Sequence, residues 1–302
     1  MENLLVNKVA AVKEVRQAAE YQKKKQACIL TGLAGSSKPV FFAAADKLLG
    51  GKGSMAFITA SREEIRTYRR ELNYLYPDLP MQELYPVSLP RVQADTQSLE
   101  LQAGRAAALR FLSGEERGIV FITAEALQQK QLRPSGMSGK ALQLAVGEEH
   151  EQRNIAAALL DLGYERTEQV DALGQFCLRG DILDVYPINS SAAVRIEWFD
   201  NELDAMRSFD VDTQRSLQTL TSIKIAPLKV DESFSYDADI FEYCAADTMV
   251  VVDEPVHVFS MLEKLDKENK EHASELFGKQ EIIEQLAANG AVLVAALAHS
   301  YL

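Results

Sequence analysis

Cysteine is scarce in this chain of 302 residues. Cys28, Cys177 and Cys244 are isolated, odd in number and free of any C-x-x-C pair. That excludes a disulfide frame and a zinc ribbon and points to a reducing, cytoplasmic setting. Histidine is as thin. His150, His257, His272 and His299 are scattered and none falls in an H-E-x-x-H or comparable ligand pair, so no metal site is expected. Long hydrophobic runs are missing too. None reaches the roughly 18 residues that a membrane helix needs, so no membrane partner is expected. The opening "MENLLVNKVAAVKEVRQAAEYQKKKQ" carries charges throughout, unlike a signal peptide, and its apolar spacing predicts one amphipathic helix. Basic charge is in deficit: 32 Lys and Arg stand against 44 Asp and Glu, a net charge of −12. An autonomous nucleic-acid binder carries a basic face, so proteins are the expected partners.

What is present is a soluble, globular composition, 47% hydrophobic and 25% charged, in a length suited to two domains. The first third alternates strand and helix: "ACILTG", "PVFFAAADKLL", "SMAFITA", "SREEIRTYRRELNYL", "GRAAALRFLSG" and "GIVFITAEALQQK". Alternation of this kind predicts βαβ units and a parallel sheet. Ser61 and Glu64 have the spacing of a helix capping box. The stretch "LRPSGMSGK" reads as a linker. A strand-like "ALQLAVG" and a helix within "EEHEQRNIAAALLDLG" follow, then short strands separated by turn residues, as in a small α+β module with an antiparallel sheet. Between Tyr164 and Asp210 that module has ten acidic and four basic residues, half of the net charge. Alternation then resumes with "TSIKIAP", "TMVVVDEP" and "GAVLVAALAHSYL" as strands. The predicted organisation is an α/β domain over 1–133 and 213–302, interrupted by an inserted module over 134–212. The last apolar segment stops abruptly, as in a chain cut from a longer parent.

Two stretches look like nucleotide chemistry. "GLAGSSKPV" follows a strand and precedes a helix, as a P-loop of pattern G-x-x-x-x-G-K-[ST] does. Gly32 and Lys38 are in place, with Gly35 among the variable positions between them, but Ser37 replaces the second glycine and Pro39 the final hydroxyl. Ser37 adds a side chain where phosphate needs close backbone approach. Pro39 removes a Mg²⁺ ligand and an N–H donor together. "MVVVDEP" ends an apolar strand on Asp253 and Glu254, as a motif that holds Mg²⁺ and polarises water does. Opposite Pro39 these acids are expected to be a remnant. No catalytic residue, bound cofactor or metal is expected in this chain.

"GYERTEQVDALGQFCLRGDILDVYP" and "RIEWFDNELDAMRSFD" carry the most specific signal. They resemble the second domain shared by the bacterial transcription-repair coupling factor family and the excinuclease B protein. The degenerate P-loop, and "QELYPVSLPRVQADTQ" in place of an aromatic-rich DNA-gripping hairpin, favour the coupling-factor family. The resemblance implies a P-loop, RecA-like α/β domain with a degenerate nucleotide site, interrupted by the α+β domain. It also implies that this domain recruits the excinuclease A protein through the matching Arg179, Arg195 and Phe199. The parent would be an ATP- and Mg-dependent translocase on double-stranded DNA that displaces stalled RNA polymerase, with the recruiting domain masked by its C-terminal region. The alternative is an ATP-dependent binder of damaged DNA of the excinuclease B type.

Residue chemistry alone gives Arg179 and Arg195 another reading, as ordinary partners of Asp181, Asp184 or Glu197 with Phe199 in the core. Alternation along "RIEWF" separates Trp198 from Phe199, and Trp198 is expected inside. In "RTYRREL", Arg66, Arg69 and Arg70 interleave with Tyr68, but Glu63, Glu64 and Glu71 dilute the charge, so a solvated helix face is expected.

Overall fold

The computed structural model describes residues 4–89, 98–134, 141–228 and 236–297. The amino-terminal stretch forms two helices, α1 (Leu4–Ala10) and α2 (Lys13–Lys23), not one. Along the chain follow β1 (Cys28–Thr31), α3 (Ser37–Leu48), β2 (Met55–Thr59), α4 (Arg62–Leu75), β3 (Met81–Leu84), α5 (Leu99–Ser113), β4 (Ile119–Thr123) and α6 (Ala124–Gln128). Next come β5 (Gln131–Leu132), β6 (Leu142–Ala145), α7 (Gln152–Asp161), β7 (Glu165–Arg166), β8 (Gln175–Arg179), β9 (Ile182–Val185), β10 (Ala193–Phe199) and β11 (Glu202–Phe209). The remainder comprises β12 (Ser216–Leu220), β13 (Ser222–Ile225), β14 (Tyr236–Ala238), β15 (Met249–Asp253), α8 (Pro255–Glu268), α9 (Lys279–Ala288) and β16 (Val292–Ala295). Most of the expected linker and the second half of "QELYPVSLPRVQADTQ" lie outside the described residues. No described helix is long and apolar enough to cross a membrane.

The chain divides into two compact units, one of residues 1–94, 108–131 and 236–302 and one of residues 95–107 and 132–235. The fold is α/β: a parallel six-stranded sheet with flanking helices, interrupted by an antiparallel α+β region. In the first unit the sheet has the order β1-β16-β15-β2-β4-β3, all parallel. A parallel sheet is covered on both faces, so its central strands are apolar throughout, and every residue of β2, β4 and β15 is buried. Register sorts their side chains. Val251, Phe57 and Phe121 align across neighbouring strands on one face, and Val252, Ile58 and Ile122 on the other. The first row packs with Phe41 and Phe42 of α3 and with Ile65, Tyr68 and Leu72 of α4. The second packs with Leu112 of α5, Val258 and Leu262 of α8, and Ile282 and Leu286 of α9. Each such side chain contributes about 1.5–3 kcal/mol of burial. Glu64 Oε2 accepts the Ala60 and Ser61 N–H groups at 2.9 and 3.1 Å, capping α4 as its spacing predicts.

In the second unit a six-stranded sheet runs β12-β11-β10-β9-β8-β7, antiparallel except for the short β7–β8 pair. Phe176, Leu183, Ile196, Trp198, Leu203 and Met206 from this sheet enclose a core with Leu144, Ile155 and Leu159. Trp198 is inside, as expected, and its Nε1 donates to the His150 carbonyl at 2.9 Å. The "TSIKIAP" strand does not rejoin the parallel sheet. As β13 it pairs antiparallel with β6, Ile223 opposite Leu144. An alternating strand fits either sheet, and only a partner about 80 residues away decides between them.

Candidate functional site

Two places combine unusual chemistry, and each lies within one unit. The first is the corner where β1, β15 and β16 end. Ligands of open α/β sheets bind at the carboxyl ends of strands, so the topology puts "GLAGSSKPV" and Asp253-Glu254 where a nucleotide would sit. Gly32 and Gly35 both have positive φ, +88° and +52°, which lets the chain turn sharply from β1 into α3. Pro39 lies in the first turn of α3, where a missing N–H costs little.

The polar groups of this corner are bonded to one another. Lys38 Nζ is 2.5 Å from Asp253 Oδ1 and 2.6 Å from Glu254 Oε1, with its side chain 4% exposed. Tyr68 donates its hydroxyl to the other Asp253 oxygen at 2.8 Å. The Ala296 N–H donates to Glu254 Oε1 at 2.9 Å. Ser37 donates its hydroxyl to the Ala34 carbonyl and Ser36 to Glu71, at 2.8 and 2.9 Å. The Ser37 and Lys38 N–H groups point at the Ala34 and Gly35 carbonyls, 3.3 and 3.2 Å away. A phosphate cradle needs those amides, that ammonium and a free hydroxyl turned outward; here each of them is turned to a protein partner.

Charge explains the arrangement. Burial alone lowers the Lys38 pKa, but hydrogen bonds and charge from Asp253 and Glu254 outweigh it, and the net shift is upward. Burial pushes the Asp253 carboxyl up against the pull of Lys38 and Tyr68, so its ionised form depends on both partners. Burial also opposes the charge of Glu254, yet Lys38 and the Ala296 amide hold it below the usual carboxylate range. Glu254 sits at φ 42°, ψ 67°, a left-handed backbone that a non-glycine residue adopts at a cost of about 1–2 kcal/mol. Tyr68 was legible only as part of an arginine-rich helix. Its spacing with Ile65 and Leu72 is the signal that turns it inward.

The second place is the solvent face of β8–β11. Arg179 and Arg195 converge on Asp184, whose side chain is 2% exposed. Arg195 binds it twice, Nε to Oδ1 at 2.6 Å and Nη2 to Oδ2 at 2.8 Å. It also donates to Gln214 Oε1 at 3.0 Å and stacks 4.6 Å over the Phe209 ring. Arg195 is therefore the more engaged of the two and 17% exposed, whereas Arg179 makes one 3.2 Å contact and is 53% exposed. Arg207 pairs with Glu197 across β10 and β11. Phe199 is 73% exposed at the end of β10, not in the core. The hairpin glycine Gly180 (φ +58°) holds Arg179 and Asp181 at the turn, where the Asp181 carbonyl accepts the Trp198 N–H at 2.9 Å.

This second face falls within the residues that match a family model, the UvrB interaction domain, over 142–230. The chain is 36% identical over 203 residues to the transcription-repair-coupling factor of Bacillus subtilis, covering 67% of this chain and 17% of that protein. It is 28% identical over 165 residues to the Escherichia coli protein of the same name, covering 55% of this chain and 14% of that protein. The Staphylococcus haemolyticus counterpart is 32% identical over 202 residues, 66% of this chain and 17% of that protein. The aligned stretch thus spans about one sixth of the length of these relatives. The chain is homologous to the N-terminal region of bacterial transcription-repair coupling factor and carries a UvrB interaction domain at residues 142–230.

Proposed function

We propose that this chain is a protein-recruitment module of transcription-coupled nucleotide-excision repair, presenting the β8–β11 face to the excinuclease A protein. Phe199 carries the reading. A large aromatic left mostly in solvent, at the end of a strand paired on both sides, is what a preformed hot spot looks like. Arg179, two strands away in the same sheet, retains donors for a partner carboxylate. Arg195 acts as a positioning residue, anchoring Asp184 and through it the Arg179 guanidinium. The parallel-sheet unit is a scaffold without nucleotide turnover, its lysine held by its own acids. The parent protein would supply the ATP-driven motor on DNA, the contact with RNA polymerase and the masking of this face.

Binding of the full chain to immobilised excinuclease A protein tests the reading. Phe199→Ala and Arg179→Ala are each expected to weaken it about tenfold or more. Unchanged affinity in both removes this face as the interface. Titration with Mg-ATP by calorimetry tests the scaffold role, and Mg-dependent heat that disappears in Lys38→Met would reinstate a working nucleotide site.

A further inference from the structure

The α4 helix carries charge that neither place uses. Arg62, Arg66, Arg69, Arg70 and Asn73 follow one another at i, i+4, i+7, i+8 and i+11 and share one stripe, while Ile65, Tyr68 and Leu72 turn to the core. Of the three acids of α4, only Glu63 borders this stripe, three residues before Arg66. Glu64 is bent back onto the helix start, and Glu71 lies on the opposite flank with the Ser36 hydroxyl, which leaves Glu63 alone at the border. Arg62 is neutralised by Glu83, 2.6 Å away, and Arg69 donates one N–H to the Met81 carbonyl at 3.2 Å. Arg66 and Arg70 are exposed and have no hydrogen-bond or ion-pair partner among the described residues. They stand one turn, about 6 Å, apart. Where the helix ends, Arg69 joins Pro77, Leu79, Pro80 and Met81 around an open pocket of 370 Å³, with Asp78 the one acid among its described walls. Tyr74 on the last turn is 84% exposed.

We propose that this face docks an acidic amphipathic peptide segment of a protein partner. Two carboxylates one turn apart pair with Arg66 and Arg70, and a following apolar side chain enters the pocket beside Arg69. A peptide fits better than a nucleic acid. Pro77, Leu79, Pro80 and Met81 give the pocket one apolar side for a single apolar side chain, while Arg69, Asn73 and Asp78 make the rest of its wall polar. Two free arginines release few counterions, too few to hold a polyanion against a chain of net charge −12. They suffice for two carboxylates, each able to accept a bidentate guanidinium.

Fluorescence anisotropy of the full chain with a dye-labelled helical peptide, carrying two glutamates one turn apart and a leucine one turn further, tests this. Saturable binding is expected, weakened about tenfold or more by Arg66→Glu with Arg70→Glu. The peptide with glutamines in place of glutamates should not bind, and a lysine-bearing peptide should regain affinity for the double variant. Both substituted side chains are exposed, so the variant should keep the parent's urea midpoint. Absence of peptide binding, or binding indifferent to the double substitution, overturns the proposal. So does a short DNA duplex that competes with the peptide and loses affinity in the same variant.

Discussion

Arg195 and Phe199 sit four residues apart on one strand and differ in what their removal does. Arg195→Ala leaves the Asp184 carboxylate buried with only the exposed Arg179 beside it. Breaking a buried pair from one side costs about 3 kcal/mol, so a lower urea midpoint, read by Trp198 fluorescence, is expected. Arg179→Ala and Phe199→Ala should leave that midpoint unchanged, because surface groups contribute little to folding. A midpoint unmoved by Arg195→Ala would make Arg195 a contact residue instead of an anchor. The sequence pattern names all three side chains but ranks them equally. Their separation into one buried anchor and two exposed groups depends on Asp184, Gln214 and Phe209, which reach Arg195 from other parts of the sheet.

At the scale of elements, the β15–α8 junction couples strain to charge. Glu254 takes a left-handed conformation at the entry to α8 because its carboxylate there meets both Lys38 and the Ala296 amide. Glu254→Gly and Glu254→Ala both lose those contacts, but only alanine retains the backbone penalty. Alanine is expected to be less stable than glycine by about 1 kcal/mol in denaturant titration. Equal stability would mean that the junction relaxes once the carboxylate is gone. The "GLAGSSKPV" segment was legible as a glycine turn between a strand and a helix, since those follow from local apolar period and glycine placement. That its lysine serves as an internal counter-ion was not legible, because Lys38 and Asp253 are 215 residues apart in sequence. Likewise β13 had the right period and the wrong sheet, since alternation reports burial of one face and says nothing of the neighbour.

For the whole molecule, the two units enclose separate cores that share no residue among those described. The single tryptophan, Trp198, belongs to the second unit, whereas most of the described helices belong to the first. Urea unfolding followed by Trp198 fluorescence and by far-ultraviolet circular dichroism is expected to give transitions that do not coincide. Superimposable curves would show one cooperative block. The sequence by itself determined the α/β alternation, the antiparallel α+β insertion, the buried Trp198 and the coupling-factor resemblance, because each rests on periodicity or on residues close together in the chain. Tertiary structure alone decided which charges remain available. It turned Tyr68 inward, closed Lys38 onto Asp253 and Glu254, locked Arg195 onto Asp184, and left Phe199, Arg179, Arg66 and Arg70 facing solvent. A side chain's reactivity depends on what reaches it from distant parts of the chain, and that is set only when the strands pair.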